Sequence, residues 1–324
     1  MNGLKVVVAA GAVLAAAGSS VGAWAAMPAC CRVPAHAAVA VELVGPVSTR
    51  TQHDGDSFAL QLSAPLIVNG RVVLKAGTPG VGKVIQSSGP GFGGKAAKLV
   101  LAARYLEVGK RHIALQGLQM AMSGAGKDNV AAAQAIGISG IVLGPVGFVG
   151  MAVRGGNVDF PAGTRATAQL AAGAVLPPLG RPTKAERELA AQVLAAPSPA
   201  EGPIAIPPPP SGKGQIVFFR PHSLLGTGQW FNVRENGAAL GKLTNGAYFV
   251  QTVDPGLHTY TATEEPEFKD SLNLQVDPGD TYYVQGALTK GVVLGAADLI
   301  PSDRAAFEKA ADGLKPAETQ TAAK

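Results

Sequence analysis

Alternating apolar and polar positions run through most of this chain, and a period of two predicts strands. Val39, Val41 and Leu43 share one face of such a run. Phe58, Leu60 and Leu62 share another, with Asp54-Gly55-Asp56 as a turn between them. Val72-Val73-Leu74 leads into Ala76-Gly77-Thr78, after which Val81 and Val84 resume the pattern. Leu99-Val100-Leu101 and Ile113-Ala114-Leu115 follow, split by the turn-like Val108-Gly109-Lys110. The series contains an echo. Val72-x-Leu74-x-Ala76-Gly77-Thr78 returns as Val158-x-Phe160-x-Ala162-Gly163-Thr164, with Pro161 in place of Lys75. Each copy predicts a strand, a glycine-bearing turn and a second strand.

One stretch breaks this pattern. Residues 130–153 carry no charge and are bracketed by Lys127 and Asp128 on one side and Arg154 on the other. As a helix this run is about 36 Å long, enough to cross a bilayer's hydrocarbon core. Gly137, Gly140, Gly144, Gly147 and Gly150 fall three or four apart, forming one smooth ridge for a second helix. Gly144-Pro145 supplies a bend for a helical hairpin. Gly and Pro cost about 1 and 3 kcal/mol inside a water-exposed helix, whereas neighbouring helices in a membrane tolerate them. The run therefore reads as an insertion between strands that contacts a membrane or associates with its like. An apolar segment packed on its own barrel is the equally weighted alternative.

Residues 181–213 read as a linker. Thr183 to Ala195 is helix-like, with Leu189 and Val193 four apart and Glu186 and Arg187 exposed. Pro197, Pro199, Pro203 and Pro207 to Pro210 follow, a run poor in donors that predicts an extended, semi-rigid spacer. Strand patterning resumes with the buried-looking run Ile216 to Phe219. Phe231 and Val233 precede the hairpin signal Asn236-Gly237, and Asn245-Gly246 is a second. Val253-Asp254-Pro255-Gly256 and Val276-Asp277-Pro278-Gly279 place Pro and Gly where a tight turn wants them. Aromatic strands follow each, through Tyr260 and through Tyr282-Tyr283. A last helix is expected over 303–312, capped by Ser302 and stopped by Gly313, with Phe307, Ala310 and Ala311 facing the sheet.

The fold class is therefore mainly β. A β-barrel or sandwich over 39–180 carries the glycine-rich insertion 130–153. The linker 181–213 joins it to a β-sandwich with a terminal helix over 214–315, and 316–324 is a frayed tail. A chain of 324 residues is long enough for two cores. Its 42 glycines, 24 prolines and 15% charged residues suit short strands joined by turns. The net charge of +5 is uneven: residues 1–210 hold 17 Lys and Arg against 9 Asp and Glu, and residues 211–324 hold 10 against 13. Lys95, Lys98, Arg104, Lys110 and Arg111 belong to the basic half. They read as a solvated face, because no aromatic residues interleave at a stacking spacing, and nucleic acid is not an expected partner.

The N-terminus resembles a secretory signal over 1–25: Lys5, then the apolar run Val6 to Ala17, then Ala23-Trp24-Ala25 for cleavage. Export to the periplasm or outer membrane is the expectation. The segment 26–38 holds the two cysteines, Cys30 and Cys31. Lipid attachment at Cys30 is the alternative to plain export. Against it, Met27 and Pro28 depart from the lipobox and the motif does not abut the apolar core. A vicinal or intermolecular disulfide is the other use of the pair.

Two resemblances follow from these residues. Val217-Phe218-Phe219-Arg220-Pro221, Asn236-Gly237, Gly241-Lys242-Leu243, Gly246-Ala247-Tyr248, Asp254-Pro255-Gly256-x-His258 and Asp277-Pro278-Gly279-x-x-Tyr282-Tyr283-Val284 cover most of 213–300. They resemble an uncharacterised family of PEGA-like β-sandwich modules of bacterial envelope lipoproteins, which implies a fold and no activity. Val72 to Gly82, Gly93-Gly94-Lys95 with Leu99 to Leu106, and Ile113 to Gly117 resemble the barrel of TrbI-type conjugation proteins of type IV secretion. In that family a hydrophobic barrel insertion can cross the outer membrane. Here the insertion is glycine-rich and interrupted by Pro145.

Candidate chemistry is sparse. Gly89 to Lys95 matches most of a phosphate loop, but Ala96 stands where Ser or Thr holds Mg²⁺, and a strand follows instead of a helix. His53-Asp54-Gly55-Asp56 lacks the further oxygen ligands of a calcium loop. The five histidines are dispersed. Ser139 sits in the apolar run without a base, and Glu264, Glu265 and Glu267 form a solvated cluster. The expectation is a non-enzyme with no catalytic, cofactor or metal residues. Its role is structural or in assembly at the cell envelope, with membrane, other envelope proteins or a second copy as partner, through Gly137, Gly140, Gly144, Pro145, Gly147 and Gly150. The alternative is a soluble periplasmic module for a glycan or peptidoglycan fragment, with Phe219, Arg220 and Trp230 as its ligand surface; against it, Trp230, Phe231 and Phe219 suit better the large side chains of a sandwich core.

Overall fold

Strands with one apolar face must bury it, and the first half of the chain does so by closing a sheet on itself. The computed structural model describes residues 31–90, 96–120, 149–154, 156–194, 203–224, 227–262, 271–290 and 294–317. Its first strands are β1 (Arg32–Val33), β2 (Ala38–Leu43), β3 (Val47–Ser48), β4 (Ser57–Leu62), β5 (Leu66–Val68), β6 (Arg71–Leu74) and β7 (Pro79–Ser88). There follow β8 (Ala96–Val108), β9 (Arg111–Met120), β10 (Val149–Arg154), β11 (Asp159–Phe160), β12 (Arg165–Leu170) and β13 (Ala174–Val175). The order β8-β7-β4-β2-β12-β9 closes through pairing of β9 with β8, giving a six-stranded barrel. Val39, Val41, Leu43, Phe58, Leu60, Leu62, Leu99, Leu101 and Phe160 fill its core. Cys31 joins them at 1% exposure, so an intermolecular disulfide through it would require opening the core.

The echo in the sequence is an echo in space. Gly77 and Gly163 both sit at φ 78°, a left-handed conformation that favours glycine. Their N–H groups donate to Leu62 O and Leu43 O, each at 2.7 Å. The hydroxyls of Thr78 and Thr164 donate to Lys75 O and Pro161 O, each at 2.6 Å. The same turn thus clamps the ends of two successive barrel strands, β4 and β2.

Strand β8 is shared along its length. Its second half pairs with β9, from Tyr105↔Ala114 to Val108↔Arg111, and its first half pairs with β10, from Ala96↔Arg154 to Leu101↔Val149. This corrects the helical expectation for the end of the insertion: Val149–Val153 are strand. Apolar glycine-containing runs this short have no periodicity that separates strand from helix. Residues 1–25, Cys30, Gly137, Gly140, Gly144, Pro145, Gly147 and Glu264 to Glu267 lie outside the described residues. No helix among the described residues is long and apolar enough to cross a membrane.

Helix α1 (Lys184–Leu194) starts as the sequence predicts. Thr183 and Glu186 form a reciprocal capping box: Thr183 N–H donates to Glu186 at 2.8 Å and Glu186 N–H donates to Thr183 Oγ1 at 3.2 Å. The proline-rich stretch does more than space. Ile204 and Ile206 pack on the second domain, and Pro207 O accepts from Gln215 Nε2 at 2.7 Å.

That second domain comprises β14 (Gly214–Arg220), β15 (Phe231–Glu235), β16 (Ala238–Leu243), β17 (Ala247–Val253), β18 (Gly256–Thr261), β19 (Ser271–Val276), β20 (Thr281–Lys290) and β21 (Leu294–Ser302), then α2 (Arg304–Ala310) and β22 (Lys315–Pro316). A five-stranded sheet, β21-β20-β14-β17-β22, faces a four-stranded one, β16-β15-β18-β19. Ile216, Phe218, Phe231, Val233, Phe249, Tyr260, Leu272, Leu274 and Tyr282 lie between them. The outer face of the five-stranded sheet is covered as well: Val217, Phe219 and Tyr283 pack under Phe307 of α2 and Leu314. Asp303, and not the expected Ser302, caps α2: its carboxylate accepts from Ala306 N–H at 2.7 Å.

Candidate functional site

The residues expected at a ligand surface separate in the fold. Phe219 is fully buried, because β14 lies in the middle of a sheet covered on both faces. Its ring stands edge-on to Phe307 at 5.4 Å. Arg220 is 3% exposed; its guanidinium lies 5.9 Å over the Phe231 ring, and Nη1 donates to Gln229 O at 2.6 Å. Only Trp230 reaches solvent, at 54% exposure, with the Lys242 ammonium 4.0 Å above its ring. Gly150 lies in β10, its backbone opposite Val100.

The densest polar convergence is where barrel and sandwich meet. Lys98 on β8 pairs with Asp298 on β21 at 2.8 Å, with side chains 0% and 1% exposed. Lys98 is therefore no part of a solvated basic face. Asp298 Oδ2 also accepts from Ala96 N–H at 3.4 Å. The Gln86 carboxamide spans the edge of β19, donating to Ser271 O and accepting from Asn273 N–H, each at 2.8 Å. That is the bonding a neighbouring strand would offer, so a barrel side chain covers an otherwise open sheet edge. Val100 and Ile85 of the barrel complete the sandwich core.

The Asp277-Pro278-Gly279-Asp280 turn docks beside them. Asp277 Oδ2 accepts from Gly117 N–H at 3.2 Å, and Gln116 Nε2 donates to Pro278 O at 3.3 Å and to His36 Nδ1 at 3.0 Å. Tyr282 Oη accepts from Asp277 N–H at 2.8 Å. Asp280 is 3% exposed, and its Oδ2 finds no hydrogen-bond partner among the described residues. Burial, then the neighbouring Asp277 charge, pushes its carboxyl up to about 7. Burial also raises Asp277, against the Gly117 N–H, Arg104 and Tyr282, which lower it. The folded state thus holds the proton of Asp280 above the usual 3.8. Its contribution to stability is whole below that value and is lost as pH rises through about 7. Asp280→Asn should remove this loss. Between pH 5 and pH 8 the parent should lose about 2–3 kcal/mol more than the variant. Parallel pH slopes in urea unfolding would show that Asp280 is not the group responsible.

Two further polar groupings hold turns. His258 engages Glu235 through Nδ1 at 2.6 Å and Asp254 O through Nε2 at 2.8 Å. Nε2 thus holds the β17–β18 turn and Nδ1 ties it to the end of β15, so both ring nitrogens are engaged. His53-Asp54-Gly55-Asp56 is a turn in which Asp56 accepts from His53 N–H at 2.7 Å and Asp54 accepts from Ser87 N–H at 2.6 Å. Among the described residues no three His, Cys, Asp or Glu side chains gather as a metal set. The junction was missed by sequence reasoning, since Lys98 and Asp298, or Gln86 and Ser271, carry no local signal of one another.

Residues 210–297 match the model of an uncharacterised family, protein of unknown function DUF2846. The match runs from just before β14 into β21, most of the sandwich. No curated protein matches the chain.

Proposed function

We propose that this protein is a non-catalytic component of the bacterial cell envelope, exported to the periplasm or outer membrane. In this reading barrel and sandwich form one scaffold that presents the glycine-rich segment for membrane contact or self-association. The observation that carries the proposal is the attachment of that segment. It leaves from β9 and returns through β10, and both strands pair with the single strand β8. The uncharged run from 130 to 148 thus lies, in the sequence, between two strands that both belong to the barrel wall. The closed six-stranded barrel and the two-sheet domain also suit the likenesses to TrbI-type barrels and PEGA-like modules. The TrbI likeness favours assembly work over catalysis.

The test keeps both tethering strands. Residues 124–146 are replaced by a short Gly-Ser link, and parent and variant are fractionated before and after an alkaline carbonate wash. The parent is expected to stay with the membrane pellet after the wash and the variant to be released. Replacing Cys30 by Ser in both separates a lipid anchor from the segment. Release of the parent by carbonate, or retention of the variant, contradicts the proposal.

The exposed Trp230 supports a second reading, a soluble module that stacks a sugar ring on the indole. Phe219 and Arg220 do not contribute to that surface, which leaves a single aromatic platform.

A further inference from the structure

Strand β9 carries a bulge where the sandwich touches it. Between Thr167 and Gln169 of β12 the register slips, from Gln119 to Gln116 on β9. Gly117 sits inside that slip at φ 59°, a left-handed conformation in which a side chain would be strained. Its N–H donates across the junction to Asp277 Oδ2 at 3.2 Å. Beside it, Gln116 Nε2 donates to Pro278 O. The bulge is thus a socket on the barrel wall for the Asp277-Pro278-Gly279-Asp280 turn. Lys213 O holds the far side of the turn, accepting from Gly279 N–H at 2.8 Å.

The two carboxyls of this turn are unequally provided for. Asp277 has Gly117 N–H and the charge of Arg104 on β8 to favour its ionised form. Asp280 has neither. It is 3% exposed, and its Oδ2 has no partner among the described residues. Burial and the Asp277 charge both act against its ionisation, and together they push its carboxyl up to about 7. The other titratable groups around the turn bring it no cation. The Lys213 ammonium pairs with Asp254, and the Tyr282 hydroxyl on β20 accepts from Asp277 N–H. His36 lies against Gly279, and its Nδ1 accepts from Gln116. We infer that Asp280 is a proton-operated latch between sandwich and barrel: with its carboxyl neutral the turn stays in the β9 socket, and ionisation drives the turn out. Ionisation sets a second negative charge beside Asp277 in a site closed to water. Moving the turn off Gly117 hydrates both carboxylates, and a small cavity lined by Gly117, Leu118, Asp277 and Tyr282 gives water a foothold. The docked form is therefore favoured at acid pH and loses that advantage as pH rises through about 7. The Lys98–Asp298 pair and the Gln86 bonds do not involve the turn, so release is local. The latch does not depend on what the glycine-rich segment contacts.

Amide exchange on the full chain tests this, with rates corrected for the intrinsic effect of pH. From pH 5 to pH 8 the amides of Gly117 and Gly279 should lose protection about tenfold or more. Amides in β4 and β15 should keep theirs. Asp280→Asn has the same shape and cannot ionise, so it should hold Gly117 protected at both pH values. Asp277→Asn removes the like charge and still offers Gly117 an acceptor, so release should move to higher pH. This second variant serves if Asp280→Asn does not fold. Equal protection of Gly117 at the two pH values in the parent would overturn the inference. So would a loss in Asp280→Asn as large as in the parent, or release at the same pH in Asp277→Asn. A loss at pH 8 that extends equally to β4 and β15 would also overturn it, because the whole fold and not the turn would then be opening.

Discussion

Asp298→Ala is expected to destabilise the protein by about 3–5 kcal/mol, because it leaves the Lys98 ammonium buried without its carboxylate. Both side chains are excluded from water, and the pair joins β8 of the barrel to β21 of the sandwich. A surface pair of the same geometry would be worth about 1 kcal/mol or less. Thermal unfolding followed by circular dichroism should show the loss as a fall of roughly ten degrees. Lys98→Met combined with Asp298→Leu should recover most of it, since apolar side chains of similar volume avoid the desolvation of both charges. A melting point for Asp298→Ala within about a degree of the parent would mean that the junction opens in solution and hydrates the lysine.

Phe307→Ala should cost about 3–5 kcal/mol. Helix α2 is seven residues long, too short to persist by its own hydrogen bonds, and Phe307 is its buried anchor. The ring touches Phe219, Tyr248 and Tyr283 at centroid distances of 5.4, 5.7 and 5.5 Å. Its loss leaves a cavity and frees the helix, exposing the outer face of the five-stranded sheet. Phe307→Leu keeps most of the volume and should cost much less. Amide exchange should accelerate in 304–313 before it changes in β14. Unchanged protection of α2 in Phe307→Ala would show that the 3₁₀ turn Ala311–Gly313 and β22 hold it instead.

The alternating runs became strands because local pattern decides which face is buried. Val39, Val41 and Leu43 point into the barrel, and Phe231 and Val233 into the sandwich. Turn chemistry was equally legible. Asn236-Gly237 adopts φ values of 50° and 83°, the left-handed pair that a two-residue hairpin needs. Closure of the barrel was not legible, because the pairing of β12 with β2 and β9 joins residues far apart in sequence. Phe219 was legible as part of the buried-looking run Ile216 to Phe219, and burial of β14 on both faces removes it from the ligand surface of the alternative reading. Lys98 looked solvated because charge in a sequence is solvated by default, and its partner lies two hundred positions away. Of the candidate site, the uncharged run was legible as a composition. That the strands on either side of it, β9 and β10, both pair with β8 required the fold.

The central claim is that the segment between β9 and β10 meets lipid or a second copy. The most direct test attaches pyrene to a single cysteine at Ser139→Cys, in a chain carrying Cys30→Ser, with Cys31 buried in the barrel. Pyrene reads both partners: nitroxide lipids quench it within a bilayer, and excimer emission appears when two copies meet. The account predicts quenching, excimer emission or both. Monomer emission unaffected by nitroxide lipid, from a label that reacts only after the chain is unfolded, would place the segment against its own barrel and contradict the account.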